Sequence, residues 1–219
     1  NKLDAVLSVT KQHGPLYIAL VNGPEGPGIT ADEKYNLALE IVNQCKEKHG
    51  VKPSQLLIDV NAYPIGSESV EGMNFCLETL NCLPKIKGIH PELKTSIGVG
   101  NLTNGLAQKP YMRKVLTSVF LDEARNVGLD CAILNPNHYV PIENLPKEDV
   151  DLARKVILER NMEAFEELES IALTKKTGKI VKKTEYSSLG LEERICQKIM
   201  DGFKEKAVGV IEKDGERFP

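Results

Sequence analysis

Apolar residues along this chain follow two alternating rhythms. Four short runs have the length and continuity of strands covered on both faces: Leu16 to Val21, Gln55 to Ile58, Ser96 to Val99 and Cys131 to Leu134. Between them the apolar residues recur at helical spacing. Leu3, Val6, Leu7 and Val9 predict a first helix over 2–13, ended by His13-Gly14-Pro15. Thr30 followed by Glu33 forms a capping box that opens a helix reaching about His49, with Tyr35, Leu37, Leu39, Ile41 and Val42 as its apolar surface. A third helix carries Met73, Phe75, Leu77 and Leu80, and a fourth runs from about Pro110 to Asn126, closed by Gly128. Residues 22–28, Asn-Gly-Pro-Glu-Gly-Pro-Gly, are so rich in breakers that they read as loop alone.

Strands alternating with amphipathic helices predict an α/β fold with a parallel sheet. The strand starts lie roughly 35–40 residues apart, a spacing that suits a (β/α) barrel whose working loops follow the strand C-termini. A closed barrel needs about eight strands, and four are counted before residue 146. Either this is half of a barrel, or the sheet is open and has edges to cover. Each strand finishes in an amide or carboxylate: Asn22, Asp59 with Asn61, Asn101 and Asn135. Asn and Asp start turns for local reasons. Four of them on one rim also suit the polar floor of a small-molecule site. Asn101 follows the small residues Gly98 and Gly100, which let a flat ligand approach closely.

The pattern changes after Leu145-Pro146. One long charged helix is expected from Glu148 to Ala172, striped by Leu152, Val156, Ile157, Met162, Phe165 and Leu168. A basic stretch, Lys175 to Lys183, has no periodicity and reads as a solvated linker. A further helix, from Leu191 to Lys213, carries Ile195, Ile199, Met200, Phe203 and Val208 on one side.

Composition narrows the function classes without choosing among them. The chain has 219 residues, 41% of them hydrophobic, and a formal net charge of −3, so it can build a core and shows no bias toward nucleic acid or an anionic membrane. No apolar run reaches the length of a membrane span and no signal peptide opens the chain, which makes a cytoplasmic location the expectation. Residue 1 is Asn rather than Met, as in a fragment. Cys45, Cys76, Cys82, Cys131 and Cys196 include no Cys-x-x-Cys pair, and no His pair has ligand spacing. They are expected to be buried, reduced thiols. No metal site is assigned, although ligands distant in sequence stay open.

The run Ile97-Gly98-Val99-Gly100-Asn101-Leu102-Thr103-Asn104-Gly105-Leu106 resembles the Gly-x-Ser-Asn-x-Ser-x-Gly-Leu pattern of folate-binding methyltransferases. Arg113 and Val119-Phe120-Leu121 follow it, then Gly128 to Pro136, and Leu57 to Pro64 resembles the family's strand carrying Asp and Pro. Together these resemble the pterin-binding domain of cobalamin-dependent methionine synthase and the related methyltetrahydrofolate:corrinoid methyltransferases. The resemblance covers residues 1 to about 146. It implies the C-terminal half of a TIM (β/α)8 barrel of the dihydropteroate-synthase-like type, with the four strands as the fifth to the eighth. The tail resembles the helical linker (147–189) and the start of the helical cobalamin cap (190–219) of methionine synthase. Two departures stand out: Gly100 replaces the family's Ser, and Val21-Asn22-Gly23-Pro24 replaces a Met-Asp-Glu strand end. Dihydropteroate synthase itself needs a Lys near the seventh strand end, and 95–106 contains none.

The reaction implied is transfer of the N5-methyl group of methyltetrahydrofolate to the Co(I) of a corrinoid. The reverse transfer and a non-catalytic folate-binding scaffold remain open. By the same resemblance Asn101 contacts the N5 region as the catalytic residue, and Asp59 bonds the amino-pyrimidine edge, whose N–H groups a carboxylate accepts well. Asn61, Gly98, Gly100, Asn104, Arg113 and Asn135 complete the expected substrate-binding set. Turn capping is the plain alternative for Asn101, Asp59 and Asn135, and a surface ion pair for Arg113. His138 is not assigned. No Asp-x-His-x-x-Gly signature for cobalamin occurs, so the corrinoid is expected on a separate domain or protein, the main partner. A homodimer is left open.

Overall fold

The computed structural model describes residues 2–65 and 72–175, together with 190 and 193. Helix α1 spans Lys2–Thr10 and leads to strand β1, Tyr17–Leu20. A small hairpin of β2, Asn22–Gly23, and β3, Gly26–Pro27, precedes helix α2, Ala31–His49. Strand β4 (Leu56–Asp59), helix α3 (Phe75–Lys87), strand β5 (Lys94–Gly98), helix α4 (Pro110–Asn126) and strand β6 (Cys131–Ile133) follow. Helices α5, Lys147–Glu159, and α6, Met162–Thr174, close the described part.

The main sheet has the order β1-β4-β5-β6 and all three pairings are parallel. Leu20 stands opposite Asp59, Asp59 opposite Ser96, and Gly98 opposite Ile133. Each strand therefore lies beside the next one in sequence, joined by one helical crossover, as parallel strands require. Four strands wound this way are compatible with part of a (β/α) barrel and do not close by themselves.

The central strands behave as their apolar runs predict: Leu56, Ile58 and Ile97 are buried. The outer two do not. On β1, Ile18 and Leu20 are 51% and 49% exposed, and on β6 Ile133 is 58% exposed. A continuous apolar run cannot tell an edge strand from a central one, because the difference lies in what sits beside it. Cys131 is exposed for the same reason, against expectation. Cys45, Cys76 and Cys82 are buried free thiols, and Cys196 lies outside the described residues. A groove of about 820 Å³ runs between α1, β1 and α2, and one of about 340 Å³ lies along β6 and α4.

Helix boundaries follow local chemistry. Thr30 caps α2 by accepting from the Glu33 amide, and Glu33 Oε2 accepts the Thr30 amide at 3.0 Å, the expected capping box. Residues 22–28 are not loop alone, since Gly23 pairs with Gly26 and Asn22 with Pro27. The chain tightens there because Gly28 lies against α2: a Cβ at Gly28 would stand 3.0 Å from the Lys34 nitrogen. The single helix expected over 148–172 is two. Arg160 adopts φ +53° and ends α5, and Asn161 caps α6 by accepting from the Ala164 amide at 2.8 Å. The apolar stripe continues through the break, so periodicity hides it. Lys175 is the last described residue of the basic stretch, and the helix expected from Leu191 falls almost wholly outside the described residues.

Met112, Val115, Leu116, Val119 and Phe120 of α4 are fully buried. Helices α5 and α6 pack on α4, and α5 also meets α3. Val150, Ala153, Val156 and Ile157 of α5, with Ala164 and Leu168 of α6, join the same core. Asp149, 3% exposed, ties this layer together by accepting from Tyr111 Oη and from Lys175 Nζ at 2.6 Å.

The opposite end of the sheet is fixed by Asp130. Its Oδ2 accepts the Thr95 amide at 2.9 Å and Lys87 Nζ at 2.9 Å, and Lys94 Nζ reaches Oδ1 at 3.4 Å. Burial alone would raise the Asp130 pKa, but the Lys87 ammonium and the Thr95 amide outweigh it and hold the carboxyl below its usual range. Asp130→Ala is expected to lower stability at pH 7 by about 1–3 kcal/mol, the cost of orphaning a buried amide. The part of the difference that depends on the carboxylate charge is fully present above the unfolded-state pKa near 3.9 and fades as pH falls through the lower folded value. Urea unfolding of both proteins from pH 7 to pH 3 checks this; a difference independent of pH would remove the charge from the explanation.

Candidate functional site

Every expected polar strand end lies at the C-terminal rim of the parallel sheet, where α/β folds place their sites. The first strand end is joined to the second. Val21 N–H donates to Asp59 O at 3.1 Å, and Asn61 Nδ2 donates to Asn22 Oδ1 at 2.8 Å. Asp59 itself is 7% exposed. Its Oδ1 accepts the Asn61 amide at 3.0 Å, closing a local turn, and no described residue hydrogen-bonds to Oδ2. The turn role expected as the plain alternative is therefore real, and it leaves one carboxylate oxygen without a partner among the described residues. Burial pushes the Asp59 pKa up, while the Asn61 amide and the Lys34 charge pull it part of the way back. Asn61 adopts φ +52°, a left-handed conformation that Asn tolerates better than most residues.

The second strand end is joined to the third through the main chain. Val60 N–H donates to Ser96 O at 3.0 Å, and Ile65 N–H to Leu102 O at 2.9 Å. Beyond β5 the chain turns at once into a 3-10 helix, Val99–Thr103, instead of continuing the strand through Val99. Val99 and Leu102 anchor it in the core and leave Asn101 exposed on the rim. Asn104 Nδ2 reaches Asn101 Oδ1 at 3.4 Å and Asn104 N–H donates to Asn101 O at 3.1 Å. That pairing orients the Asn101 amide: its oxygen takes the neighbour's N–H and its own NH2 points away. A Cβ built at Gly98 or at Gly100 would meet nothing within 4 Å, so these glycines border open space.

Two expected residues stand apart from this group. Asn135 Oδ1 accepts the Asn137 amide at 3.0 Å and caps the 3-10 turn Pro136–His138, the local role weighed for it. Arg113 lies 3.3 Å from His138 Nδ1 through its terminal nitrogen, while its Nε is buried without a described partner. Burial, then the Arg113 and Lys114 charges, lower the His138 pKa, so the ring is a neutral acceptor at neutral pH. Arg113 thus joins α4 to the last turn of the rim and forms no ion pair among the described residues.

Two contributors were missed. Asn22 was noted as a strand end but not assigned to the site, and it orients the Asn61 side chain. Lys34 was not singled out at all. It is fully buried and donates from Nζ to Thr79 Oγ1 at 2.6 Å and to Asn61 O at 3.2 Å. A signal existed: Lys34, Ala38, Val42 and Cys45 share one helical face, and a lysine in that stripe is out of place.

Among the described residues no cluster of three or more His, Cys, Asp or Glu could hold a metal ion, and no helix is long and apolar enough to cross a membrane.

Fold and rim together define a parallel α/β unit with a polar C-terminal face suited to a small, hydrogen-bonding ligand. Over 207 residues the chain is 30% identical to methionine synthase of Mycobacterium tuberculosis (strain ATCC 25618 / H37Rv), covering 92% of this chain and 17% of that protein. It is 29% identical over 201 residues to methionine synthase of Mycobacterium leprae (strain TN), covering 90% of this chain and 16% of that protein. The chain is thus similar to a segment of methionine synthase along nearly its whole length, and spans about a sixth of the curated relatives it matches. No protein-family model matches it.

Proposed function

We propose that this chain forms the C-terminal half of a folate-binding barrel, of the dihydropteroate-synthase-like type, in a methionine-synthase-like methyltransferase. The complete barrel transfers the N5-methyl group of methyltetrahydrofolate to the Co(I) of a corrinoid held on another domain or protein. The observation that carries this reading is that the Asn101–Asn104 pair follows β5 and the Asp59–Asn61 turn ends the adjacent strand β4, with open space at Gly98 and Gly100. Residues 147–189 are then the linker and 190–219 the start of the helical cap.

The chemistry sets what the residues must do. A tertiary amine leaves poorly, so N5 must gain a proton or a strong hydrogen bond as its bond to methyl breaks. Asn101 is neutral and carries donor and acceptor on one group, so it can serve N5 in either protonation state. The uncommitted Asp59 Oδ2 accepts from the amino-pyrimidine edge and fixes the ring's orientation. The corrinoid supplies the nucleophile when it is bound. In this reading it sits on another domain or protein, because the sequence carries no Asp-x-His-x-x-Gly signature for cobalamin.

The test joins the chain to the other half of the barrel, mixes the completed barrel with methyltetrahydrofolate and Co(I) cobalamin, and follows the cobalt absorption spectrum. Methylcobalamin forming above the uncatalysed rate supports transfer. Folate binding by calorimetry without transfer assigns the chain a scaffold role. No binding at all sinks the folate reading.

A further inference from the structure

Lys34 is the one fully buried lysine among the described residues. Its ammonium makes no ion pair within 4 Å among them. Its contacts are Thr79 Oγ1, the Asn61 carbonyl and the face of the Tyr63 ring, 5.3 Å from the ring centroid. Tyr63 is itself held, stacked on Phe75 at 5.2 Å and donating from Oη to Gly28 O at 3.2 Å. Burying an ammonium among neutral partners is costly, and a neutral donor could bridge a hydroxyl and a carbonyl at less cost. The charge needs another reason.

The titratable groups around it supply one. From α3 come Cys76, Glu78 and Cys82, and from the end of β4 comes Asp59. Burial pushes Cys76 up to about 12 and Cys82 up to about 11, so both are neutral thiols at neutral pH. Glu78 is committed elsewhere, accepting the Ala31 amide at 2.6 Å. Asp59 is the one of these groups joined to Lys34 through the Asn61 turn, and burial disfavours its charge while one backbone amide supports it. The same ammonium also grips the carbonyl of Asn61, the residue held at φ +52° whose amide is that support.

We propose that Lys34 is a positioning residue: from beneath the rim it supplies the countercharge of Asp59 and clamps the Asn61 turn, so that the folate site presents an anionic acceptor. The proposal rests on the folate-site reading for its purpose, and its electrostatic content can be measured without any folate. Lys34 itself is lowered to about 8, chiefly by burial, so its proton is lost just above neutral pH.

The experiment is a carbon-13 NMR titration of the ligand-free chain labelled at aspartate Cγ, with Asp59 assigned from the spectrum of Asp59→Asn. In wild type the Asp59 signal is that of a carboxylate at pH 7 and shows a second inflection near pH 8, where Lys34 releases its proton. In Lys34→Met the inflection near pH 8 is gone and the Asp59 midpoint rises, the direction expected on removing a nearby opposite charge. A wild-type signal flat through pH 8 overturns the proposal, whether or not the variant folds. An unchanged Asp59 midpoint in folded Lys34→Met overturns it too. Calorimetry with methyltetrahydrofolate on the barrel completed by its other strands separates the two readings: a wild-type barrel that binds no folate, beside a chain that shows the inflection, removes the folate site and leaves the Lys34–Asp59 coupling standing.

Discussion

Asn101→Ala slows methyl transfer by roughly ten- to thousandfold in the barrel completed by its other strands, the range seen when one donor to a developing charge is removed. Stability should hardly change. Asn101 is exposed and its side chain hydrogen-bonds, among the described residues, only to Asn104, so no buried group loses a partner. The loss should fall on kcat more than on folate affinity, because the bond to N5 strengthens only as methyl departs. Asn104→Ala supplies the internal comparison. It leaves the Asn101 amide in place and frees its orientation, so a smaller effect with the same sign is expected. Stopped-flow measurement of Co(I) decay, with saturating and with limiting folate, separates the two parameters. A full rate in Asn101→Ala would move the proton chemistry to another group.

Asp59→Asn should lower methyltetrahydrofolate affinity by roughly ten- to a hundredfold. The amide oxygen of the new side chain can still accept the Asn61 N–H, so the turn survives. What is lost is the charge on the bond to the ligand, worth about 1.5–3 kcal/mol where one partner is ionised. Asp59→Ala should be worse in a different way. It strands the part-buried Asn61 amide and removes a carboxylate near Lys34, so stability falls along with binding. Calorimetric titration with folate, set beside thermal melting of both variants, tells the two apart. Equal affinity in Asp59→Asn and wild type would mean that the carboxylate serves the turn alone.

The parts of this fold legible in sequence were those with local causes. The Thr30–Glu33 box, the Gly128 stop and the extent of α4 from Pro110 to Asn126 depend on a few neighbouring residues, and the structure places them as read. The exposure of Ile18, Leu20 and Ile133 was not legible, since it depends on which strands flank β1 and β6. The break at Arg160 was hidden because an αL residue and a new cap can interrupt the backbone without shifting the apolar face. At the rim the polar strand ends were legible as positions. Their pairing was not: Asn22 with Asn61 and Asn101 with Asn104 are joined, while Asn135 serves its own turn. Lys34 shows the reverse failure. Its place in an apolar stripe was visible, but the habit of reading lysines as surface residues concealed it.

The sheet's two open sides are not equivalent. One is β1, whose free side follows α1 in the chain, and the other is β6, which leads away toward α5. All four strands run the same way, so the assembly has a direction around its axis as well as along it. A piece that closed this sheet with parallel pairing throughout would match that sense twice, offering one strand to receive β1 and a different one to receive β6. A single added hairpin cannot do so, because its two strands point in opposite directions. Completion in register therefore demands a piece that is itself wound from parallel strands and helices, which restricts the candidates far more than the apolar character of the edges does.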